Sequence, residues 1–431
     1  MKKSVIFLFC FIFYTYTSAQ EIKFDSYDIN VKLENNSEFI IVTSLVRFHT
    51  ERDLKETYFT FSTKADLKKA ECYIGTQKNE MNFTQMDDDS LHVVFGDSIW
   101  ADNDYILGLE YTFPADIKND TLLLIDRGHR WYPIIPEQIV PFELTCEVPR
   151  EYGVLAAGNM VFVDENGNTD IYKYESKIPV FKLPLIIYNK DVFKKNELQK
   201  NYINICLYSL EDDSVSTNKI LEEADSALNY YSAIIGEYPF KSLNLFEVNL
   251  WDGMNIGSGI ISVGSRSLNM MRKGYLDGLY LTIAEQWMGA GVFAHYGQPG
   301  FWFFALSLPH YLRLMYLRET KGEEYFLKEL NQPLDKYKEF AGKENDVPVM
   351  EVDKPNSMEK SLVLYAKGPY VLYKLNEKMG NEKWILFLRN LYSRFRGKVI
   401  DYDLFIDLLS EYDKSGEAVV LLNKLVTQIG L

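Results

Sequence analysis

Between Glu21 and about Phe193, apolar residues recur in short runs, many of them alternating with polar ones: Tyr27 to Leu33, Phe39 to Phe48, Thr57 to Phe61, Leu91 to Phe95, Tyr105 to Phe113 and Thr121 to Ile125. Clusters of turn-forming residues separate them, at Glu34-Asn35-Asn36-Ser37, Asp87-Asp88-Asp89-Ser90 and Lys118-Asn119-Asp120. A period of two broken at regular intervals predicts an antiparallel β-sandwich. Further strands are expected at Phe142 to Val148, Gly153 to Ala157 and Val180 to Ile187, with a hairpin turn at Asp164 to Asn168. Near residue 195 the pattern changes. Lys194 to Asn201 is polar and reads as a link, and Tyr202 to Leu207 reads as a strand. Ser216 to Ile235 places Ile220, Ala224, Ala227, Leu228 and Tyr231 on one face, the spacing of a helix. Strands at Leu243 to Val248 and Ile260 to Val263 precede helical patterns at Leu276 to Phe293, Phe301 to Thr320 (kinked), Glu323 to Leu330, Glu359 to Lys378, Lys383 to Phe395, Tyr402 to Tyr412 and Glu417 to Ile429. The fold class expected is therefore α+β: a sandwich over residues 20–195, then a small sheet with stacked helices over 196–431.

Composition changes this picture little. The 431 residues are 47% hydrophobic and 25% charged, an ordinary globular balance with room for two sizeable cores. The ends and charges say more. Lys2 and Lys3, the apolar run Val5 to Phe13 and the small residues Thr17-Ser18-Ala19 form a secretory signal peptide over 1–19, too short to span a membrane. Export to the periplasm or beyond the cell is expected. The formal charge of −15 becomes more negative when those lysines leave, which argues against nucleic acid as a partner. No later segment predicts a membrane span. Cys72, Cys146 and Cys206 show no metal-ligand spacing and read as buried thiols or at most one disulfide.

Several segments, in order, resemble one family. Trp131-Tyr132-Pro133, Pro141 to Thr145 and Glu147-Val148-Pro149 are followed by Ala227 to Ser232, Gly236 to Phe240, Tyr365-Ala366-Lys367-Gly368, Arg394 to Lys398 and Asp403-Leu404-Phe405. Together they resemble the zinc aminopeptidases (gluzincins) that include membrane alanyl aminopeptidase and leukotriene hydrolase. The resemblance covers nearly the whole mature chain. It implies a thermolysin-like second domain, a zinc cofactor and peptide substrates, without the extra C-terminal helical domain of larger members.

The chemistry of that family needs H-E-x-x-H, which sets two imidazoles one helical turn apart with a glutamate as base for the zinc-bound water, and a third ligand from the next helix. The segment that resembles it is Leu281-Thr282-Ile283-Ala284-Glu285-Gln286-Trp287-Met288-Gly289. The two histidine positions hold Leu281 and Glu285, and the base position holds Thr282. The third-ligand position, in Phe301 to Leu306, falls on Phe304. Only Glu285 could bind a metal, so no zinc cofactor is expected, and Leu281 and Phe304 are expected to turn the former metal pocket into core. Tyr365 matches the tyrosine that stabilises the oxyanion in the family, or is a packed helix-start residue. Gly253-Met254-Asn255-Ile256-Gly257-Ser258-Gly259 occupies the place of the family's G-x-M-E-N loop, with Asn255 where a glutamate would receive a substrate's amine. Gly253, Gly257 and Gly259 either allow a peptide close approach or serve turns.

The expected function is that of an exported pseudopeptidase, binding peptides or a partner protein through the former groove. Two alternatives stand beside it. One is an active hydrolase with a rebuilt site, drawing on Glu285, His295 and His310 for a metal or on Glu285 and Glu247 for acid–base work. The other is a purely structural component of a surface complex.

Overall fold

A computed structural model describes residues 22–431 apart from 36, 116–121, 136–137, 181, 201 and 250–251. The expected signal peptide, the turn at 118–120, the first residue of the strand expected from Thr121, Asn36 and Asn201 lie outside the described residues.

The first half is a sandwich. Its large sheet has eight strands in the order Asn159–Asn166, Thr169–Val180, Val140–Pro149, Ile22–Leu33, Phe39–Thr50, Asp104–Pro114, Asp66–Ile74 and Gln77–Asn79. Strict alternation builds it. Ile29, Val31 and Leu33 point into the core with polar neighbours outward, and a bulge between Phe24 and Ser26 keeps Phe24 and Tyr27 on the same buried face. A three-stranded sheet (Leu54–Thr60, Ser90–Ile99, Met81–Gln85) contributes Phe59, Leu91, Val93 and Phe95 to the same core. The large sheet departs from the expected antiparallel pattern at one place: Ile22–Leu33 and Val140–Pro149 run parallel, with Tyr27 opposite Phe142. The expected strand Val180 to Ile187 is divided. One strand ends at Val180 and the next begins at Leu185, because Pro184 cannot donate to a ladder. Trp131, fully buried, donates to the Leu183 carbonyl across this gap (3.2 Å) and fixes its path.

The second half is built on a five-stranded sheet, ordered Lys194–Lys200, Ile203–Ser209, Ser242–Val248, Ile260–Gly264 and Met254–Gly257. The polar stretch from Lys194 is thus an edge strand and not a link; polar side chains suit an edge with an open face. It crosses residue 195. The helix Ser214–Ile234 starts where the Asp213 carboxylate accepts from the Ser216 N–H, and it buries Ile220, Ala224, Ala227, Leu228 and Tyr231. The helix expected over 276–293 covers only Asp277–Ala284. From Glu285 the chain folds into turns that need Gly289 at φ +144°, a conformation closed to other residues. The helix expected to stop at Leu330 runs over Glu323–Lys338, because burial of Phe326, Leu330, Leu334 and Tyr337 outweighs the one hydrogen bond lost at Pro333.

The kink expected in 301–320 is a π-helical turn, Phe303–Ser307, leading into the helix Leu308–Lys321. A second such turn, Val363–Lys367, leads into Gly368–Met379. Each precedes a proline, Pro309 or Pro369, and the wider turn moves the carbonyl the ring would strike. The two turns pack together: Ser307 Oγ donates to the Leu364 carbonyl at 2.7 Å, and a Cβ at Gly368 would come within 2.1 Å of that oxygen. No helix among the described residues is long and apolar enough to cross a membrane. Cys72, Cys146 and Cys206 are buried free thiols, and burial pushes Cys72 up to about 12.

Candidate functional site

Four segments, three from the second half of the chain and one from the sandwich, line a cavity of about 340 Å³. The edge strand Met254–Gly257 contributes Met254, Asn255 and Ile256, and the turn after the short helix contributes Glu285 and Gly289. The π-helical segment contributes Phe301, Trp302 and Phe304, and Lys182 reaches in from the divided strand of the sandwich. A second hollow of about 300 Å³ adjoins it and shares the wall of Tyr296, Phe301 and Trp302; its far side carries Glu351 and Asp353. Contacts between neighbouring aromatic rings build the shared wall. Tyr296 meets Phe301 edge to face at 5.1 Å, Phe301 meets Trp302 at 4.9 Å, and Trp302 Nε1 donates to the Asp353 carbonyl at 2.6 Å.

Gln286 ties the loop to the helix. It is fully buried, accepts from the Gly259 N–H (3.0 Å) and donates to the Gly257 carbonyl (3.1 Å). The glycines therefore serve the turn and close packing. Gly259 sits at φ +81°, and a Cβ on Gly257 would meet Pro184 at 2.7 Å. Gly253, at φ +97°, donates to Ser267 Oγ (3.0 Å) and does not line the cavity, whereas Met254 and Asn255 do.

Leu281, Thr282, Glu285 and Phe304, the residues that the sequence sets against the family's metal and base positions, have the following surroundings. The Glu285 N–H donates to the Leu281 carbonyl at 3.0 Å, so the two positions are stacked one turn apart as H-E-x-x-H would require, but one is a hydrocarbon. Thr282 Oγ1 turns back onto its own helix, donating to the Gly278 and Leu279 carbonyls at 3.0 and 3.1 Å. Phe304 is buried against Phe303 and Phe405, with centroids 5.4 and 5.3 Å away. Among the described residues no three His, Cys, Asp or Glu side chains gather where they could share an ion. Phe304 belongs to the buried core of this half and also forms one wall of the cavity, whereas Leu281 does not line it.

Glu285 keeps some surface on the cavity, yet protein surrounds its carboxyl closely. Burial pushes it up to about 8, with Lys182 opposing in part. Tyr365 lies in the second π-helical turn, half-buried. Burial, and then the charge of Glu285, raises its hydroxyl. Its ring meets His310 at 5.5 Å. Burial first, and Arg313 second, hold His310 down at about 3, and Arg313 Nη2 lies 3.2 Å from its Nε2. His295 does not line the cavity although Ala294 and Tyr296 on either side do. Glu247 is buried elsewhere, accepting from the Leu210 N–H at 2.8 Å.

Lys182 is the residue that sequence reasoning passed over. Its Nζ donates to Asn255 Oδ1 at 3.2 Å, and Asn255 Nδ2 faces Asp126 Oδ2 at 3.4 Å. Burial opposes ionisation of Asp126, but His129, the Gly128 N–H and Lys182 outweigh it and hold the carboxyl below its usual range. The available signal was a single lysine inside the apolar run Val180 to Ile187. The aromatic wall gave a similar signal, since Phe301 and Trp302 read as helix core.

By sequence, no family model and no curated protein matches this chain. By structure the likeness is close. The M1 zinc metallopeptidase of Deinococcus radiodurans superposes with a TM-score of 0.73 at 14% identity, covering 95% of this chain and 94% of that one. A point variant of it gives 0.74 at 14%, covering 96% of each chain. A two-domain M1 zinc metallopeptidase variant bound to L-arginine gives 0.75 at 14%, covering 95% of each. The chain thus has the two-domain fold of the M1 zinc metallopeptidases, at an identity that speaks for the fold alone.

Proposed function

We propose that this protein is an exported pseudopeptidase: a zinc-aminopeptidase-like chain that has given up hydrolysis and uses the former substrate groove to bind peptides. The observation that carries the reading is an open cavity next to side chains that lack donors at the expected metal positions. Leu281 and Phe304 offer no donor to a metal, Thr282 spends its hydroxyl on its own helix, and the pocket nevertheless stays open and walled by aromatic rings. A cavity of this size, mostly apolar with a few polar groups at one end, is the usual form of a small-ligand site. Similar structures carry a free amino acid or a Tyr-Ser-Ala substrate, which supports peptides as the ligand class here. Export rests on the first 19 residues. The test is a binding titration of short peptides, followed by tryptophan fluorescence and compared with a Trp302→Phe variant, run with a hydrolysis assay on the same peptides. Saturable binding without cleavage is expected. Cleavage that persists in pure protein and is lost in Glu285→Gln would replace this reading by that of an active hydrolase.

A further inference from the structure

We infer that the cavity receives its ligand carboxylate-first: Lys182 and Asn255 hold the free C-terminal carboxylate of a short peptide with an apolar last residue. This rests on the peptide-groove reading and deepens it by assigning the direction of the chain.

Lys182 and Asn255 both line the cavity. Lys182 Nζ lies 3.2 Å from Asn255 Oδ1, so the amide that stands where an amine-receiving glutamate would be is itself an acceptor for an ammonium of the protein. Its other end is turned to Asp126. Asp126 does not line the cavity, and its oxygens are engaged by the Gly128 N–H (2.8 Å), His129 (2.9 Å) and Asn255. One carboxyl, Glu285, is among the residues that line the cavity, closely surrounded by protein. An incoming ammonium finds Asn255 already accepting from Lys182. An incoming carboxylate finds Lys182 in a pocket with apolar walls, where such a contact is less screened than in water.

The adjoining hollow is bordered by acids. Beyond the Tyr296, Phe301 and Trp302 wall, the adjoining hollow is bordered by Glu351 and Asp353, of which Asp353 is paired with Lys360 at 2.6 Å. A peptide entering C-terminus first lays its last side chain against Met254, Phe293 and Phe304 and leads its amino end toward these acids. The two compartments thus agree on one polarity, the reverse of that implied by a glutamate at position 255.

The experiment titrates the purified mature protein at pH 7 with three probes: Ala-Ala-Phe as the free acid, its C-terminal amide, and its N-acetyl derivative. The free acid and the N-acetyl form are expected to bind alike, and the amide about tenfold or more weakly, the range of a charge-assisted hydrogen bond. Lys182→Met should erase the advantage of the acid over the amide, and Asn255→Glu should shift preference toward the free amine. Equal binding of acid and amide overturns the inference while leaving the peptide-groove reading intact, as does an acid preference that survives in a folded Lys182→Met. Binding lost only on N-acetylation overturns it in the same way. Binding of none of the three probes removes the peptide-groove reading and this inference together.

Discussion

Replacing Glu285 by glutamine tests whether its carboxyl is held protonated in the fold. In the unfolded chain this carboxyl loses its proton near the ordinary value of 4.5; in the folded chain it keeps it up to about 8. Between those values the folded state binds more protons, so the stability tied to this group is fully present below 4.5 and is lost as pH rises through 8. The gap, at about 1.4 kcal/mol per pH unit, sets a ceiling of about 5 kcal/mol. Solvent on the cavity side reduces that to about 2–4 kcal/mol. Glutamine keeps the shape and removes the titration. Urea unfolding of wild type and Glu285→Gln, followed by tryptophan fluorescence from pH 5.5 to 8.5, isolates the effect, because the other titrating groups cancel in the difference. The variant should gain on wild type steadily as pH rises and be the more stable protein at 8.5. Unfolding midpoints that move in parallel across the range would refute the reasoning.

Three further outcomes are expected. His310 is held neutral in the fold to about pH 3 but titrates near 6.5 when unfolded, so stability falls with decreasing pH between those values; melting temperatures at pH 5 and 7 should differ less in His310→Gln than in wild type. Gln286→Leu strands the Gly259 N–H and the Gly257 carbonyl in a buried place, and should cost about 2–4 kcal/mol in urea unfolding. Phe304→Ala removes a ring packed against Phe303 and Phe405, and should cost about 3 kcal/mol by the same measurement, since the ring also borders a cavity.

The parts of the fold legible in the sequence are those fixed by local pattern. Alternation placed the strands around Ile29, Val42 and Leu109, and the 3.6-residue spacing of Ile220, Ala224, Leu228 and Tyr231 placed the long helix. Where long-range contact decides, the pattern misled. The apolar run after Ala284 looks helical, but Gln286 and Trp287 spend their polar groups on Gly257, Gly259 and Gly236, and the chain turns instead. Lys194 to Lys200 looks like a link because an exposed edge strand has little to bury. At the site, that the sequence holds no H-E-x-x-H was visible directly. Lys182 was not, because its partner Asn255 lies 73 residues away and belongs to the other half of the chain.

The central claim, that the aminopeptidase scaffold here lacks its metal site, is tested most directly by elemental analysis of the purified mature protein after zinc loading and desalting. The account predicts less than about a tenth of an equivalent of zinc, where a site with three ligands would retain close to one. Close to one equivalent, lost in Glu285→Gln or His310→Gln, would contradict it.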